Sequence, residues 1–84
     1  MEVTIRYCGG WGYGRFAQGL ANLLDDEFPG KLKFKMDRDP GTSGAFEVTV
    51  DGELVHSKLT KSQGRAESAK EQEAIKAAIG AKLK

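Results

Sequence analysis

The 84-residue sequence predicts a small two-layer α+β domain, with a four-stranded mixed sheet carrying both helices on one face. Three observations lead there. Four short segments alternate apolar and polar residues, the period of a half-buried strand. Two longer segments repeat apolar residues at helical spacing. Their order is β-α-β-β-β-α, and an Asp-Gly pair, the strongest short hairpin signal, separates the last two strands.

Val3, Ile5 and Tyr7 alternate with Glu2, Thr4 and Arg6 to give the first strand. A glycine-rich stretch from Cys8 to Gly14 follows, and Phe16, Leu20, Leu23, Leu24 and Phe28 then define the first helix. Gly19 lies within it at a cost of about 1 kcal/mol against alanine, which points to a packing role for its missing side chain. Pro29-Gly30 ends the helix. Leu32, Phe34 and Met36 alternate with Lys31, Lys33 and Lys35 in a second strand, whose lysine row suits an edge protected against sheet-to-sheet pairing. After the turn-rich segment from Asp37 to Gly44, Phe46, Val48 and Val50 alternate with Glu47, Thr49 and Asp51. The Asp51-Gly52 hairpin leads into a fourth strand from Glu53 to Ser57, and the polar stretch from Lys58 to Glu67 reads as a mobile loop. Ser68-Ala69-Lys70-Glu71 has the form of a capping box, and Ile75, Ala78, Ile79 and Leu83 supply the apolar stripe of the last helix. The first β-α-β unit should be a right-handed crossover joining parallel strands. Each strand is apolar on one side only, so both helices should cover the same face and leave the other solvated. No repeat, low-complexity segment or domain boundary interrupts residues 1–84, which read as one domain expected to be a monomer.

Composition excludes several classes. Hydrophobic residues make up 39%, but nine of them are alanine, leaving enough for one thin core. Lys+Arg 13 against Asp+Glu 12 leaves a net charge of +1, which argues against nucleic acid and against an anionic membrane surface. No apolar run is long enough to span a bilayer, and Met1 to Ile5 carries no leader pattern, so a soluble, cytoplasmic protein is expected. A single cysteine, Cys8, and a single histidine, His56, leave neither an intrachain disulfide nor a cysteine-rich metal site, and no metal is expected.

Chemistry concentrates at Cys8. It lies where the first strand gives way to a helix, the end of an α/β sheet at which ligands and reactive groups usually gather. A helix N-terminus favours thiolate, so the thiol should titrate below its ordinary value of about 8.5. Gly9 and Gly10 should keep the sulfur open and bring backbone N–H groups near it. Strand parity, with Val3, Ile5 and Tyr7 inward, sets Cys8 on the opposite side or in the loop and predicts a solvent-accessible, reactive thiol; the alternative is a buried cysteine acting as a small hydrophobe.

Tyr7-Cys8-Gly9-Gly10-Trp11-Gly12-Tyr13 resembles the selenoprotein W family signature Y-C-x-x-U-G-Y, where U is selenocysteine. Asp25-Asp26-Glu27-Phe28-Pro29-Gly30 looks like that family's acidic helix end. Pro40 to Val48 is similar to its P-x-x-T-G-x-F-E-V segment, with Ser43 where threonine is usual, and Gly52 to Lys58 resembles its G-x-L-[IV]-H-S-K strand. The blocks run in one register from about Val3 to Lys58. The resemblance implies a thioredoxin-like fold and thiol-based redox chemistry in the cytosol, with an antioxidant role in redox homeostasis. It also implies glutathione as co-substrate or mixed-disulfide adduct, no bound cofactor, and 14-3-3 proteins as partners. Cys8 matches the first position of the family's redox pair. Trp11 stands at the second.

Two-electron exchange within one chain needs two chalcogens in bonding distance, and an indole is neither. One-thiol chemistry remains: a mixed disulfide with glutathione, a sulfenic acid or an intermolecular bridge. The alternative is a binding module that docks through an exposed Trp11–Tyr13 loop, for example on a 14-3-3 protein, with Cys8 incidental. The same resemblance places Ser43 in the loop that faces the redox motif, so Ser43 joins Gly9, Gly10, Trp11 and Tyr13 as a candidate binding residue. Other candidates carry less. The glycines from Gly9 to Gly14 lack the Gly-Lys-[Ser/Thr] ending of a phosphate loop. His56, by parity with Leu54, faces the core or the final helix. Asp25, Asp26 and Glu27 read as solvated surface. Selenocysteine is read from UGA, one base from the tryptophan codon, so Trp11 is expected to replace a selenocysteine. Sequencing of the natural gene should show UGA at codon 11; an ordinary tryptophan codon there would mean that the redox pair has been lost.

Overall fold

The computed structural model describes residues 1–10, 12–41, 44–58 and 68–83. Its elements are β1 (Glu2–Tyr7), α1 (Tyr13–Glu27), β2 (Lys33–Arg38), β3 (Phe46–Val50), β4 (Glu53–Ser57) and α2 (Ala69–Leu83), in the expected order. The sheet runs β2-β1-β3-β4, with β1 parallel to β2 and antiparallel to β3, and β3 antiparallel to β4. Across it, Phe34 pairs with Val3, Val3 with Val50, and Ile5 with Val48, so the apolar residues of three strands share one face. Both helices cover that face: Leu20 and Leu24 of α1 and Ile75 and Ile79 of α2 join Val3, Ile5, Phe46, Val48 and Val50 in one buried cluster. The lysine-bearing strand β2 does lie at an edge.

The inner stripe of α1 differs from the expected one. Tyr13, Ala17, Leu20, Ala21 and Leu24 are buried, whereas Phe16, Leu23 and Phe28 are only partly so. Small alanines let the helix lie close to the sheet, and the larger rings seal its margins. Gly19 faces solvent, and a Cβ there would meet nothing within 4 Å, so the expected packing role is absent. The helix closes as the Phe28 N–H bonds the Leu24 carbonyl at 2.9 Å. In α2, Ser68 caps the first turn, its Oγ accepting the Glu71 N–H at 3.2 Å. Ile75 and Ile79 are buried as expected, while Leu83 is 40% exposed. Lys76 ties the two helices together, reaching Glu27 and Glu73 at 3.3 Å each; the Glu73 hydrogen bond, then that of Glu27, raises its pKa. The expected loop at 59–67 lies outside the described residues.

The β3–β4 hairpin turns at Asp51 and Gly52, with φ of 48° and 87°, the pair of positive values that a tight two-residue hairpin demands. Along β4 the pairing steps from Val48–His56 to Thr49–Leu54, so Val55 is the extra residue of a bulge. The bulge breaks strict alternation. His56 falls on the helix-covered face, 1% exposed and edge-on to Phe46 at 6.0 Å, while Leu54 falls on the other face and is 37% exposed. Parity with Leu54 therefore does not hold, and His56 is a core residue.

The second face is not uniformly solvated, contrary to expectation. Glu47 and Ser57 pair across β3 and β4 on that face and are both buried. The Ser57 hydroxyl donates to Glu47 Oε1, and the Lys58 backbone N–H donates to Oε2 at 2.9 Å. Each carboxylate oxygen is thereby satisfied, the condition under which a buried acid is tolerated. Replacing Gly19 by alanine should raise stability by about 0.5–1 kcal/mol, because the helical backbone gains restriction and the new methyl meets open space. Urea denaturation checks this, and a loss of stability would contradict the open placement.

Candidate functional site

The carboxyl end of β1 is held from both sides. The Asp39 N–H donates to the Tyr7 carbonyl at 2.8 Å, and the Cys8 N–H donates to the Ala45 carbonyl at 2.8 Å. Strand pairing thus continues one residue beyond Tyr7. The Arg6 Nε bonds Asp39 Oδ1 at 2.8 Å, a contact that raises the guanidinium pKa first through the hydrogen bond and then through the charge of Asp39. The loop after β2 is pinned to the end of β1 by these bonds.

Gly9 is required by that closeness. A Cβ at Gly9 would lie 2.2 Å from the Asp39 carbonyl oxygen and 3.0 Å from that of Gly41, distances no side chain can occupy. Arg38, paired with Tyr7 at the last step of β2, donates from Nη2 to the Gly9 carbonyl at 3.0 Å. The chain then turns, with Tyr13 N–H on the Gly10 carbonyl at 3.4 Å, and α1 starts behind an N-cap Gly12 that offers no side-chain cap.

Cys8 does not stand open. It is 1% exposed and belongs to the buried cluster, so the expectation of a solvent-accessible sulfur is corrected. Parity does not decide burial at the strand's end, where the Gly41 backbone comes up against the sulfur. The Sγ lies 3.8 Å from the Gly41 carbonyl and accepts the Gly10 N–H at 3.4 Å. The residue nonetheless lines a cavity of about 260 Å³ together with Tyr7, Gly9, Gly10, Gly12, Tyr13 and Arg38. The glycine loop therefore forms a depression directly over a covered thiol.

Of the other candidates, Gly9 and Gly10 line this cavity but do not hold the sulfur open. Tyr13 does not form an exposed contact patch: it is 5% exposed, the first residue of α1, with its ring edge-on to Phe46 at 6.4 Å. A docking loop built on Trp11 and Tyr13 loses one of its two rings. Trp11 and Ser43 lie outside the described residues. Arg38 was not singled out from the sequence. The available signal was its parity with Phe34 and Met36, which carries it onto the helix side at the end of β2. Among the described residues no group of three metal-ligating side chains converges, and no helix is long and apolar enough to cross a membrane.

A thiol at the end of a central strand, immediately before the first helix of a thioredoxin-like α+β sheet, defines the class. The Rdx family model matches residues 2–80, and the chain belongs to that family. It is 47% identical to Selenoprotein W of Danio rerio over 58 residues, spanning 69% of this chain and 67% of that one. With Selenoprotein W of Sus scrofa the identity is 45% over 58 residues, with the same shares of each chain. The crystal structure of a Selenoprotein W-related protein from Vibrio cholerae superposes with a TM-score of 0.78 at 18% identity, covering 99% of this chain and 96% of that one, and so shares the fold. These relationships support a thiol redox-type role in general terms. Gly9→Ala should lower stability by about 1–3 kcal/mol, the usual cost of forced overpacking, since the Asp39 carbonyl must move. Thermal unfolding tests this; an unchanged midpoint would contradict the close approach.

Proposed function

We propose that the chain is a one-thiol redox protein of the cytoplasm, with an antioxidant role, in which Cys8 exchanges with glutathione. The observation that carries this reading is the placement of Cys8 Sγ beneath the glycine-lined cavity with the Gly10 N–H directed at it. The step is thiol–disulfide exchange. The Cys8 thiolate attacks one sulfur of oxidised glutathione, a new S–S bond forms, the old one breaks, and one glutathione leaves as thiolate and takes up a proton. A second glutathione reverses the step by attacking the mixed disulfide. With tryptophan at position 11 the chain cannot resolve the adduct itself, so resolution comes from outside. A selenocysteine at position 11 in the natural protein would restore an internal partner.

Burial sets the rate. A sulfur this covered reacts when the glycine loop or the Gly41 segment opens, so exchange proceeds through local opening. A docking role on a 14-3-3 protein would rest on Trp11 alone and would survive Cys8→Ser, which separates it from exchange.

Intact-mass measurement after incubation with oxidised glutathione should show a single adduct, removed by reduced glutathione and missing in Cys8→Ser. Its formation should be at least about tenfold faster in denaturing urea, where the sulfur is uncovered. If the folded chain forms no adduct while the urea-unfolded chain does, the buried thiol is structural and the exchange reading fails.

A further inference from the structure

Among the described residues that line the cavity over Cys8, Arg38 is the one cation, and no described carboxylate pairs with it. Two arginines stand near the end of β1, and they are used differently. Arg6 lies on the open face and takes Asp39 in an ion pair at 2.8 Å. Arg38 lies on the helix side, lines the cavity, and among the described residues bonds only the neutral Gly9 carbonyl, through Nη2. One N–H of its five-donor fork is engaged, and the rest of the fork remains for a ligand. The other wall of the cavity contains Gly12, Tyr13 and Gly14 at the start of α1. That first turn holds no acidic residue, and its cap makes no side-chain hydrogen bond. Arg15 adds a second positive charge in the same turn. Among the described residues the cavity lining contains no acid. Such a surface attracts a carboxylate and repels an ammonium group.

We propose that Arg38 is a specificity-determining residue of this cavity, selecting anionic disulfide co-substrates whose carboxylate pairs with its guanidinium. This rests on the exchange reading above. Arg38 pairs with the co-substrate carboxylate as the Cys8 thiolate attacks the disulfide, and takes no part in bond making or breaking. The same guanidinium also holds the Gly9 carbonyl, so removing it disturbs the loop as well as the charge, and the test must separate the two effects.

Second-order rates of mixed-disulfide formation at Cys8 are measured with three disulfides, each variant's rate being taken relative to the parent's with the same disulfide: oxidised glutathione (anionic), hydroxyethyl disulfide (neutral) and cystamine (cationic). The proposal expects Arg38→Gln to slow the anionic disulfide about tenfold relative to the neutral one, and to speed the cationic one. Arg38→Lys, which keeps charge but loses the planar fork, should recover part of the discrimination. Added salt should weaken the preference for the anionic disulfide in the parent protein and have little effect in Arg38→Gln. Equal changes toward all three disulfides would mean that Arg38 only shapes the loop, and would overturn the proposal while leaving exchange at Cys8 intact. No reaction of the folded parent chain with any of the three would overturn both.

Discussion

The end of β1 is built around a backbone contact that admits no side chain. With the Asp39 carbonyl oxygen 2.2 Å from where a Cβ of Gly9 would lie, the glycine loop and the loop after β2 are pressed together as closely as two chains can be. That approach is fixed by hydrogen bonds on either side, Asp39 N–H to Tyr7 and Cys8 N–H to Ala45, and by the Arg6–Asp39 ion pair on the open face. The consequence is felt at Cys8, whose sulfur is closed over by Gly41. The thiol is covered because the two loops must meet, and they meet because position 9 has no side chain.

The adjoining ends of the sheet's two central strands are held by different groups. Cys8 and its glycines line the cavity at the carboxyl end of β1. Glu47 and Ser57, drawn from two separate blocks of the sequence, form a buried hydrogen-bonded clamp together with the Lys58 backbone on the far face of the sheet. The Lys58 N–H also reaches the Phe46 carbonyl at 3.1 Å, so β4 is fastened at the point where it leaves the sheet. Phe46 in turn supports both Tyr13 and His56 edge-on. The clamp thus fixes the strand against which the first turn of α1 packs, and through Tyr13 it steadies one wall of the cavity.

Much of the architecture was legible because period-2 and period-3.6 patterns survive in short strands and helices. The order of elements, the edge position of β2, the Asp51-Gly52 turn and the Ser68 cap all follow from local chemistry. What escaped depends on contacts between distant segments. The bulge at Val55 reverses the facing of His56 relative to Leu54, and no alternation rule registers one extra residue. The burial of Cys8 comes from Gly41, over thirty residues away in sequence. Glu47 read as one polar member of an alternating strand, and only its pairing opposite Ser57 made it a buried clamp. Tyr13 was assigned to a loop because the glycines around it obscured the start of the helix, whose N-cap Gly12 makes no side-chain signature.

The geometry places a covered thiol at the base of a glycine-lined cavity. Among the described groups that approach the sulfur are two from the backbone of glycines, the Gly10 N–H at 3.4 Å and the Gly41 carbonyl at 3.8 Å. Backbone cover made of glycines is displaced by changes in φ and ψ that other residues resist. Charge follows the same division: Asp39 is engaged by Arg6 on the open face, so the electrostatic character of the cavity is set by Arg38 and the start of α1. An anionic partner that draws Arg38 away from the Gly9 carbonyl would loosen the loop that hides the sulfur, coupling recognition of the co-substrate to access to the thiol.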